Sequence, residues 1–262
     1  MIISLSNQKG GVGKTTSAIN MAACMTRMGH KVLVVDLDPQ ENLTTAWGVD
    51  KKAGNVFDVL VGELRISDAM VELASKVTEA KGRLSIIPGS SSMARFEKLR
   101  AGEVNAQFDL KKVLSKVEKD FDYILLDCPP ALGLITINAL SCTNYVVVPM
   151  EAQLFALEGL EGISDTIKQI QEFSNPKLKL GGIFFIRHDK RKVLNRTVES
   201  FIAQKFEGTL LPTAIREYVA LKEAPHQEQD IFTYDPTSNG AQDYESLTKE
   251  LIARLCKKGR NR

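Results

Sequence analysis

Six short segments of the chain are apolar at nearly every position, and this pattern restricts the fold more than any other feature of the sequence. They are Ile2–Ser6, Lys31–Asp36, Leu84–Pro88, Tyr123–Asp127, Tyr145–Pro149 and Leu180–Ile186. Continuous apolar runs indicate strands that are buried on both faces, because a strand with one solvated face alternates apolar and polar residues. Helical spacing occurs between them, at Lys14–Met28, Phe108–Lys119 and Leu157–Phe173. The sequence therefore predicts a three-layer α/β/α fold with a doubly wound, mostly parallel sheet.

The domain organisation follows from length and from the absence of internal boundaries. A chain of 262 residues could form one large domain or two small ones. No linker, repeat or low-complexity tract divides it, so we expect a single domain over residues 1–262. Residues 49–82 are the least patterned part of the chain, and there we expect peripheral helices whose role the sequence does not indicate.

Composition excludes several classes of protein. A formal net charge of +2 is too small to indicate a nucleic-acid or membrane partner, so such a partner must be argued from local clusters. The four cysteines, Cys24, Cys128, Cys142 and Cys256, form no C-x-x-C pair, and three histidines make a zinc site improbable. Because there is no signal-peptide pattern and every apolar run is too short to cross a bilayer, we expect a soluble, cytoplasmic protein.

A glycine-rich segment, NQKGGVGKTT from Asn7 to Thr16, lies between the first predicted strand and the first predicted helix. In that position the glycines allow backbone N–H groups to face a phosphate, and the helix N-terminus adds positive potential. Lys14 would reach the β- and γ-phosphates of a nucleotide, and the Thr15 hydroxyl would bind Mg²⁺. The predicted nucleotide-binding residues are Gly10, Gly11, Val12, Gly13, Lys14, Thr15 and Thr16.

Three aspartates end predicted strands. VVDLDPQ contains Asp36 and Asp38, and ILLDCPP contains Asp127. Ligands of open α/β sheets bind at the carboxyl ends of the strands, so these carboxylates are expected beside the phosphate loop. Asp127 matches a Walker B motif, which acts on Mg²⁺ directly or through water, and Asp36 is expected to support the metal or its waters. A single strand-end aspartate is also a common turn or cap, but three of them with the loop indicate one site.

The loop departs from the usual pattern G-x-x-x-x-G-K-[ST], because Gln8 occupies the position of the first glycine in that pattern. In addition, Lys9 comes directly before the glycine cluster of this chain. The form KGGxGK[ST] resembles the deviant Walker A box of the ParA/MinD family of ATPases. The resemblance implies that Lys9 reaches the phosphates of the partner protomer in an ATP-bound dimer, where a cation stabilises the charge that develops during hydrolysis. It also assigns Asp38 to positioning the attacking water. Lys9, Lys14 and Asp38 are thus the implied catalytic residues, with ATP and Mg²⁺ as cofactors.

The resemblance extends over nearly the whole chain. ALGLITINAL, VVVPMEAQLFALEGL and YDPTSNGAQDY are similar to segments of the chromosome and plasmid partition ATPases of the ParA/Soj group. This similarity implies a homodimer on ATP binding, non-specific DNA binding, a nucleoid-associated location, and hydrolysis stimulated by a ParB-like centromere-binding protein. No helix-turn-helix segment precedes the loop, so the short type of this group is expected.

The predicted DNA contacts come from two basic segments. RHDKRKVLNR, Arg187–Arg196, is the densest interior cluster, and Arg191 stands where the Soj group has a DNA-contacting arginine. The second segment, AIREYVALKEAP, departs from the family's IPRNVRLSEAP, since Tyr218 replaces its asparagine and Ala220 its second arginine. We therefore assign no adenine contact there. The predicted DNA-binding residues are Arg187, Arg191, Lys192, Arg216 and Lys222.

Two related functions remain open. A MinD-like protein would bind anionic lipid through an amphipathic helix at its C-terminus. Apolar residues at helical spacing occur here before the basic segment KKGRNR. This apolar stripe consists of Tyr244, Leu247, Leu251 and Leu255. We favour a last helix packed on the core, and hence no membrane partner.

Cargo-positioning relatives share the chemistry of partition ATPases and carry a different load. Cluster-carrying relatives need cysteines that bridge subunits through metal, and no paired cysteine motif occurs here.

Overall fold

The computed structural model describes residues 1–50, 52, 54–153 and 156–260. In this part of the chain seven strands form one sheet in the order β3-β4-β2-β5-β1-β6-β7. The strands are β1 (Ile2–Leu5), β2 (Lys31–Asp36), β3 (Val71–Glu72), β4 (Arg83–Ile87), β5 (Tyr123–Asp127), β6 (Tyr145–Met150) and β7 (Lys179–Phe185). All neighbouring strands are parallel except β3, which is antiparallel to β4. The predicted mostly parallel sheet is confirmed.

Helices cover both faces of this sheet. They are α1 (Lys14–Arg27), α2 (Asn42–Ala46), α3 (Val56–Leu60), α4 (Met93–Leu99), α5 (Asp109–Leu114), α6 (Leu134–Cys142), α7 (Ala156–Phe173), α8 (Val193–Lys205), α9 (Ala220–Glu223), α10 (Ile231–Tyr234) and α11 (Asn239–Arg260). Val32 and Val34 of β2 pack into the core beneath α1 and α11, whereas Leu33 and Val35 pack into the core beneath α3 to α6. Alternate residues of one strand thus enter opposite cores, which explains the continuous apolar runs.

Two of the three predicted helices agree with the structure. The first, predicted at Lys14–Met28, is α1, which ends at Arg27 and is followed by Gly29, whose φ of +97° directs the chain into β2. The helix predicted at Leu157–Phe173 is α7. The prediction at Phe108–Lys119 is wrong beyond Leu114, where α5 ends. The chain there continues through i→i+3 hydrogen bonds, so that Val117 and Phe121 are buried ahead of β5.

Residues 49–82 are more than peripheral helices. They contain α3, the edge strand β3 and a 3₁₀ turn at Ala74–Lys76. Asn55 caps α3, because its side chain accepts hydrogen bonds from the backbone N–H groups of Phe57 and Asp58. Phe57, Ile66 and Leu73 are buried in the described part of this segment, so it closes one end of the core.

The C-terminal helix α11 packs on the core, as we favoured. Its apolar residues Tyr244, Leu247, Leu251 and Leu255 are at most 1% exposed and lie in the same core as α1. Among the described residues, no helix has the length and the apolar character that a membrane span requires. Some sequence segments quoted above lie partly outside the described residues, namely at Lys51, Ala53, Leu154, Phe155, Asn261 and Arg262.

Candidate nucleotide-binding site

The loop between β1 and α1 has the backbone that a phosphate-binding loop needs. Gly11 and Gly13 have φ values of +73° and +71°, a region that favours glycine. A Cβ atom at Gly13 would also lie 3.0 Å from Cδ1 of Ile186, so this position is restricted by packing as well. Val12 between them is buried in the core. Only the backbone of Val12 is therefore available to a ligand, while its side chain holds the loop in place.

Lys14 is buried at the first turn of α1. Its Nζ donates hydrogen bonds to the carbonyl oxygens of Asn7 at 3.1 Å and Lys9 at 3.3 Å. The Asn7 side chain donates to the Pro149 carbonyl at 2.8 Å and so ties the loop to β6. Burial lowers the pKa of Lys14. Within the described chain no carboxylate pairs with this amine, so a phosphate would supply the missing negative charge.

Asp36 and Asp127 lie side by side at the carboxyl edge, because they are register partners on β2 and β5. Asp36 is fully buried and hydrogen-bonded. Its Oδ2 accepts from the Thr44 backbone at 2.9 Å and the Thr44 hydroxyl at 2.6 Å, and its Oδ1 accepts from the Asp38 backbone at 3.3 Å. Burial raises the pKa of Asp36 to about 6. Asp36 therefore holds the chain after β2 in place, a contribution that the sequence did not predict.

Asp127 contrasts with its neighbour. It is 1% exposed, and neither carboxylate oxygen has a hydrogen-bond partner among the described residues. Burial and then the charge of Asp36 raise the pKa of Asp127 well above its usual value, while Thr15 and Lys14 act in the opposite direction. A buried carboxylate without donors is unfavourable unless a proton or a cation joins it. Asp127 thus has a free, buried carboxylate that a cation would compensate.

The donor set fits Mg²⁺ together with a nucleotide. No cluster of three or more histidine, cysteine or acidic side chains suited to a metal occurs in the described chain. Mg²⁺ is commonly held by one or two carboxylates, with phosphate oxygens and water completing its octahedron. Asp127 and the Thr15 hydroxyl are the protein groups at hand, and Asp36 lies next to them.

Asp38 lies in the turn after β2 at the edge of a cleft. Its Oδ1 accepts a hydrogen bond from the Gln40 backbone at 2.9 Å, which fixes the carboxylate. The cleft has a volume of about 550 Å³, a size suited to a small organic ligand. The lining residues that the sequence did not assign to the site include Ile19, Gln40, Asn42, Thr45, Ala46, Pro130, Pro225 and His226. No local pattern marks them, since they come from segments that are distant in the chain and converge only in the fold, among them α2 and the 3₁₀ turn at Ala224–Gln227.

Lys9 is on the same loop but is not among the residues that line the cleft. Its side chain is 53% exposed, and its Nζ lies 3.6 Å from Oε2 of Glu151. The Nζ also donates to the side-chain oxygen of Gln153. The structure therefore separates the two lysines, with Lys14 under the phosphate loop and Lys9 at the surface of the protomer.

Comparison with known proteins decides which family has this arrangement. A sequence model described as an AAA domain matches residues 1–180. The sporulation initiation inhibitor protein Soj of Bacillus subtilis is 37% identical over 254 residues, which cover 96% of this chain and 98% of Soj. The chromosome partitioning protein ParA of Caulobacter vibrioides is 33% identical over 257 residues, 97% of this chain and 94% of that protein. The chain belongs to the ParA/Soj family of partition ATPases.

A solved structure supports the same ParA/Soj fold. The structure described as cobyrinic acid a,c-diamide synthase from Mycobacterium smegmatis, with bound ADP and magnesium, is 32% identical to this chain. The two superpose with a TM-score of 0.82 over 98% of this chain and 96% of that one. The relatives thus include a protein that holds ADP and magnesium in the same fold.

The predicted DNA-binding residues of this ParA/Soj chain lie close together. Arg187, Arg191, Lys192 and Arg216 line a cavity of about 800 Å³ beside the nucleotide cleft. Lys222 lies with Arg187 and Arg216 around a second, smaller pocket. Arg187 also lines the nucleotide cleft, which the sequence did not predict. The two basic segments therefore form one surface.

Most of these cations are paired within the chain. Arg191 is bound by both oxygens of Asp189 at 2.9 Å, which lowers the pKa of Asp189 to about 2. Arg216 is bound by Asp243 at 2.8 Å, and Lys222 lies 3.1 Å from Glu217. The three cations are each more than half exposed, and ion pairs at a surface contribute about 0–1 kcal/mol each.

Proposed function

We propose that this protein is a Mg²⁺-dependent ATPase, with one domain over residues 1–262, that acts as a switch in chromosome or plasmid partition. The observation that carries the proposal is the buried, unpartnered carboxylate of Asp127 beside Thr15 and the phosphate loop. Membership of the ParA/Soj family and a relative with bound ADP and magnesium support ATP and Mg²⁺ as cofactors. Mg²⁺ would neutralise phosphate charge during hydrolysis.

In this proposal, different groups of the chain bind the phosphates, hold the metal and orient the attacking water. The backbone N–H groups of residues 10–16 and the Lys14 amine would hold the phosphates, and Thr15 and Asp127 would hold the metal with support from Asp36. Asp38 orients the attacking water from the edge of the cleft, where its bond to Gln40 fixes it. Val12, Lys14, Asp36 and Asp127 are buried, and these residues fix the groups around them, so little reorganisation is needed when the nucleotide enters.

Lys9 would act on a second copy of the chain. Its exposure and its position outside the cleft support a contribution to the phosphates of a partner protomer. Two protomers facing each other through their phosphate loops would each complete the other's site. Hydrolysis would then depend on dimerisation, because only the dimer brings a second lysine to the phosphates.

The ATP-bound dimer would bind DNA through the surface formed by Arg187, Arg191, Lys192, Arg216 and Lys222. Contacts to phosphates carry no sequence information, so this binding would be non-specific. A ParB-like partner would then stimulate hydrolysis and release the DNA. The protein would accordingly be cytoplasmic and associated with the nucleoid.

Co-sedimentation tests this proposal against the membrane alternative. The protein is mixed with random-sequence DNA or with anionic liposomes, in the presence of ATP or ADP. We expect sedimentation with DNA in ATP alone, and affinity that falls steeply as salt rises. The buried stripe of α11 argues against liposome binding, since Leu247, Leu251 and Leu255 are already in the core. Sedimentation with liposomes in ATP, without DNA binding, would refute the partition function.

A further inference from the structure

Glu151 is shared by two cations at the carboxyl edge of the sheet. One oxygen, Oε2, lies 3.6 Å from Nζ of Lys9, and the other accepts a hydrogen bond from the Arg187 guanidinium. Gln153 completes the arrangement, because its amide donates to Glu151 while its side-chain oxygen accepts from Lys9. The carboxylate of Glu151 is 13% exposed, whereas the two cations are about half exposed. Glu151 is therefore held in place more firmly than Lys9 and Arg187.

The backbone places these side chains together. Lys9 follows β1, Glu151 follows β6 and Arg187 follows β7, and these three strands are neighbours in the sheet. The Ile186 backbone donates to the Met150 carbonyl at 2.8 Å, and the Asn7 side chain donates to the Pro149 carbonyl at 2.8 Å. Both loops are therefore fastened to the end of β6, with the Glu151 side chain between them.

We propose that Glu151 is a positioning residue that holds Lys9 against its own protomer until the ATP-bound dimer forms. The inference rests on the proposed function, which assigns Lys9 to the partner's phosphates. Lys9 cannot contact Glu151 and a distant phosphate at the same time, so the Lys9–Glu151 contact opposes dimerisation. Arg187 keeps the mostly buried carboxylate compensated when Lys9 leaves, which makes the exchange inexpensive.

The substitution Glu151→Gln tests the inference, because it removes the charge with little change in shape. Opening one exposed ion pair changes an equilibrium by about two- to five-fold, and a symmetric dimer opens two of them. We therefore expect the dimer dissociation constant, measured by sedimentation equilibrium with a non-hydrolysable ATP analogue, to fall about four-fold or more. The matched control is Glu79→Gln, which breaks the ion pair with Arg27 at the far end of α1 and should leave the constant unchanged.

A double-mutant cycle separates this effect from a general change in structure. In a Lys9→Ala background, Glu151→Gln should have no further effect on the dissociation constant, because Glu151 acts through Lys9. A fall of the same size in that background would overturn the inference, as would a weaker dimer for Glu151→Gln alone. The exposed Gln153→Ala is a second variant that leaves the buried carboxylate intact, and it should tighten the dimer in the same direction by a smaller factor.

The same variants distinguish failure of the inference from failure of the proposed function. If Lys9→Ala hydrolyses ATP at the parental rate, the contribution of Lys9 to a partner site is wrong, and the inference fails with it. If Lys9→Ala abolishes hydrolysis while Glu151→Gln and Gln153→Ala dimerise like the parent, only the holding contact is refuted.

Discussion

Two isosteric substitutions at register partners should change stability in opposite directions. In the nucleotide-free protein, Asp127 is buried without a hydrogen-bond donor, whereas Asp36 accepts from the Thr44 backbone, the Thr44 hydroxyl and the Asp38 backbone. Asp127→Asn removes a buried charge whose burial costs more than Thr15 and Lys14 return, since the pKa of Asp127 is raised, and it should stabilise the protein by about 1–3 kcal/mol. Asp36→Asn replaces one accepting oxygen by an NH₂ donor, which would face the Thr44 and Asp38 donors that Asp36 now accepts from. It should destabilise the protein by a similar amount.

Thermal unfolding at pH 8 without nucleotide or metal measures both effects. For a chain of this length, about 1–3 kcal/mol corresponds to a shift in Tm of about 2–6 °C, upward for Asp127→Asn and downward for Asp36→Asn. Added Mg²⁺ and ATP should then raise the Tm of the parent but not that of Asp127→Asn, because the variant has lost its metal ligand. A lower Tm for Asp127→Asn in the absence of ligand would refute the view that this carboxylate is prepared for a cation.

The pH dependence gives an independent check of the same reasoning. A carboxyl group whose pKa is raised on folding binds its proton more tightly in the native state, so its stabilising contribution is lost as pH rises through the native pKa. For Asp36 this loss occurs between the unfolded pKa near 4 and the native value of about 6, and for Asp127 it extends further upward. The Tm advantage of Asp127→Asn should therefore be larger at pH 8 than at pH 5. An advantage that does not change with pH would mean that burial of charge is not its cause.

Three further substitutions test the remaining assignments. Lys14→Ala should abolish nucleotide binding measured by calorimetry, since it removes the buried amine under the loop; normal ATP affinity would contradict the loop assignment. Asp38→Ala should bind ATP and dimerise in light scattering yet release no phosphate, and hydrolysis at the parental rate would exclude the water-positioning contribution. Arg191→Glu should weaken DNA binding and reduce the salt dependence by about one phosphate contact without changing basal hydrolysis. The control Lys168→Glu, on α7 outside the basic cluster, should bind DNA like the parent.

The sequence predicts the buried strands of the sheet better than it predicts the edge strand and the helix ends. The six predicted strands are buried on both faces, and such strands need apolar residues at every position. The seventh, β3, has only two residues on the edge of the sheet, and both remain partly or fully exposed, so no apolar run marks it. The helix predicted at Phe108–Lys119 stops at Leu114 because the chain must turn to bury Val117 and Phe121, which helical spacing alone does not reveal.

In the candidate site, too, some residues could be predicted from the sequence and others could not. The phosphate loop and Asp127 could be predicted because their positions follow from local sequence at strand ends. The contacts that set their environment could not, since they join distant segments. Lys9 meets Gln153 across 144 positions, and the Lys14 amine binds a loop whose asparagine is fastened to Pro149 across 142 positions. A single sequence has no local signal for such pairs.

Strand order gives this edge of the sheet an alternating pattern of charge. Asp127 ends β5, and in sheet order β1, β6 and β7 are followed by the two lysines of the loop, Glu151 and Arg187 in turn. Glu151 contacts both Lys9 and Arg187 at the surface, whereas the buried Lys14 and Asp127 have no salt-bridge partner among the described residues. Nucleotide with Mg²⁺ would supply both missing charges at once. The two buried groups thus favour nucleotide binding in one protomer. Lys9 would become available only when the negative charge of a second, nucleotide-bound copy competes with Glu151, which Arg187 would continue to compensate.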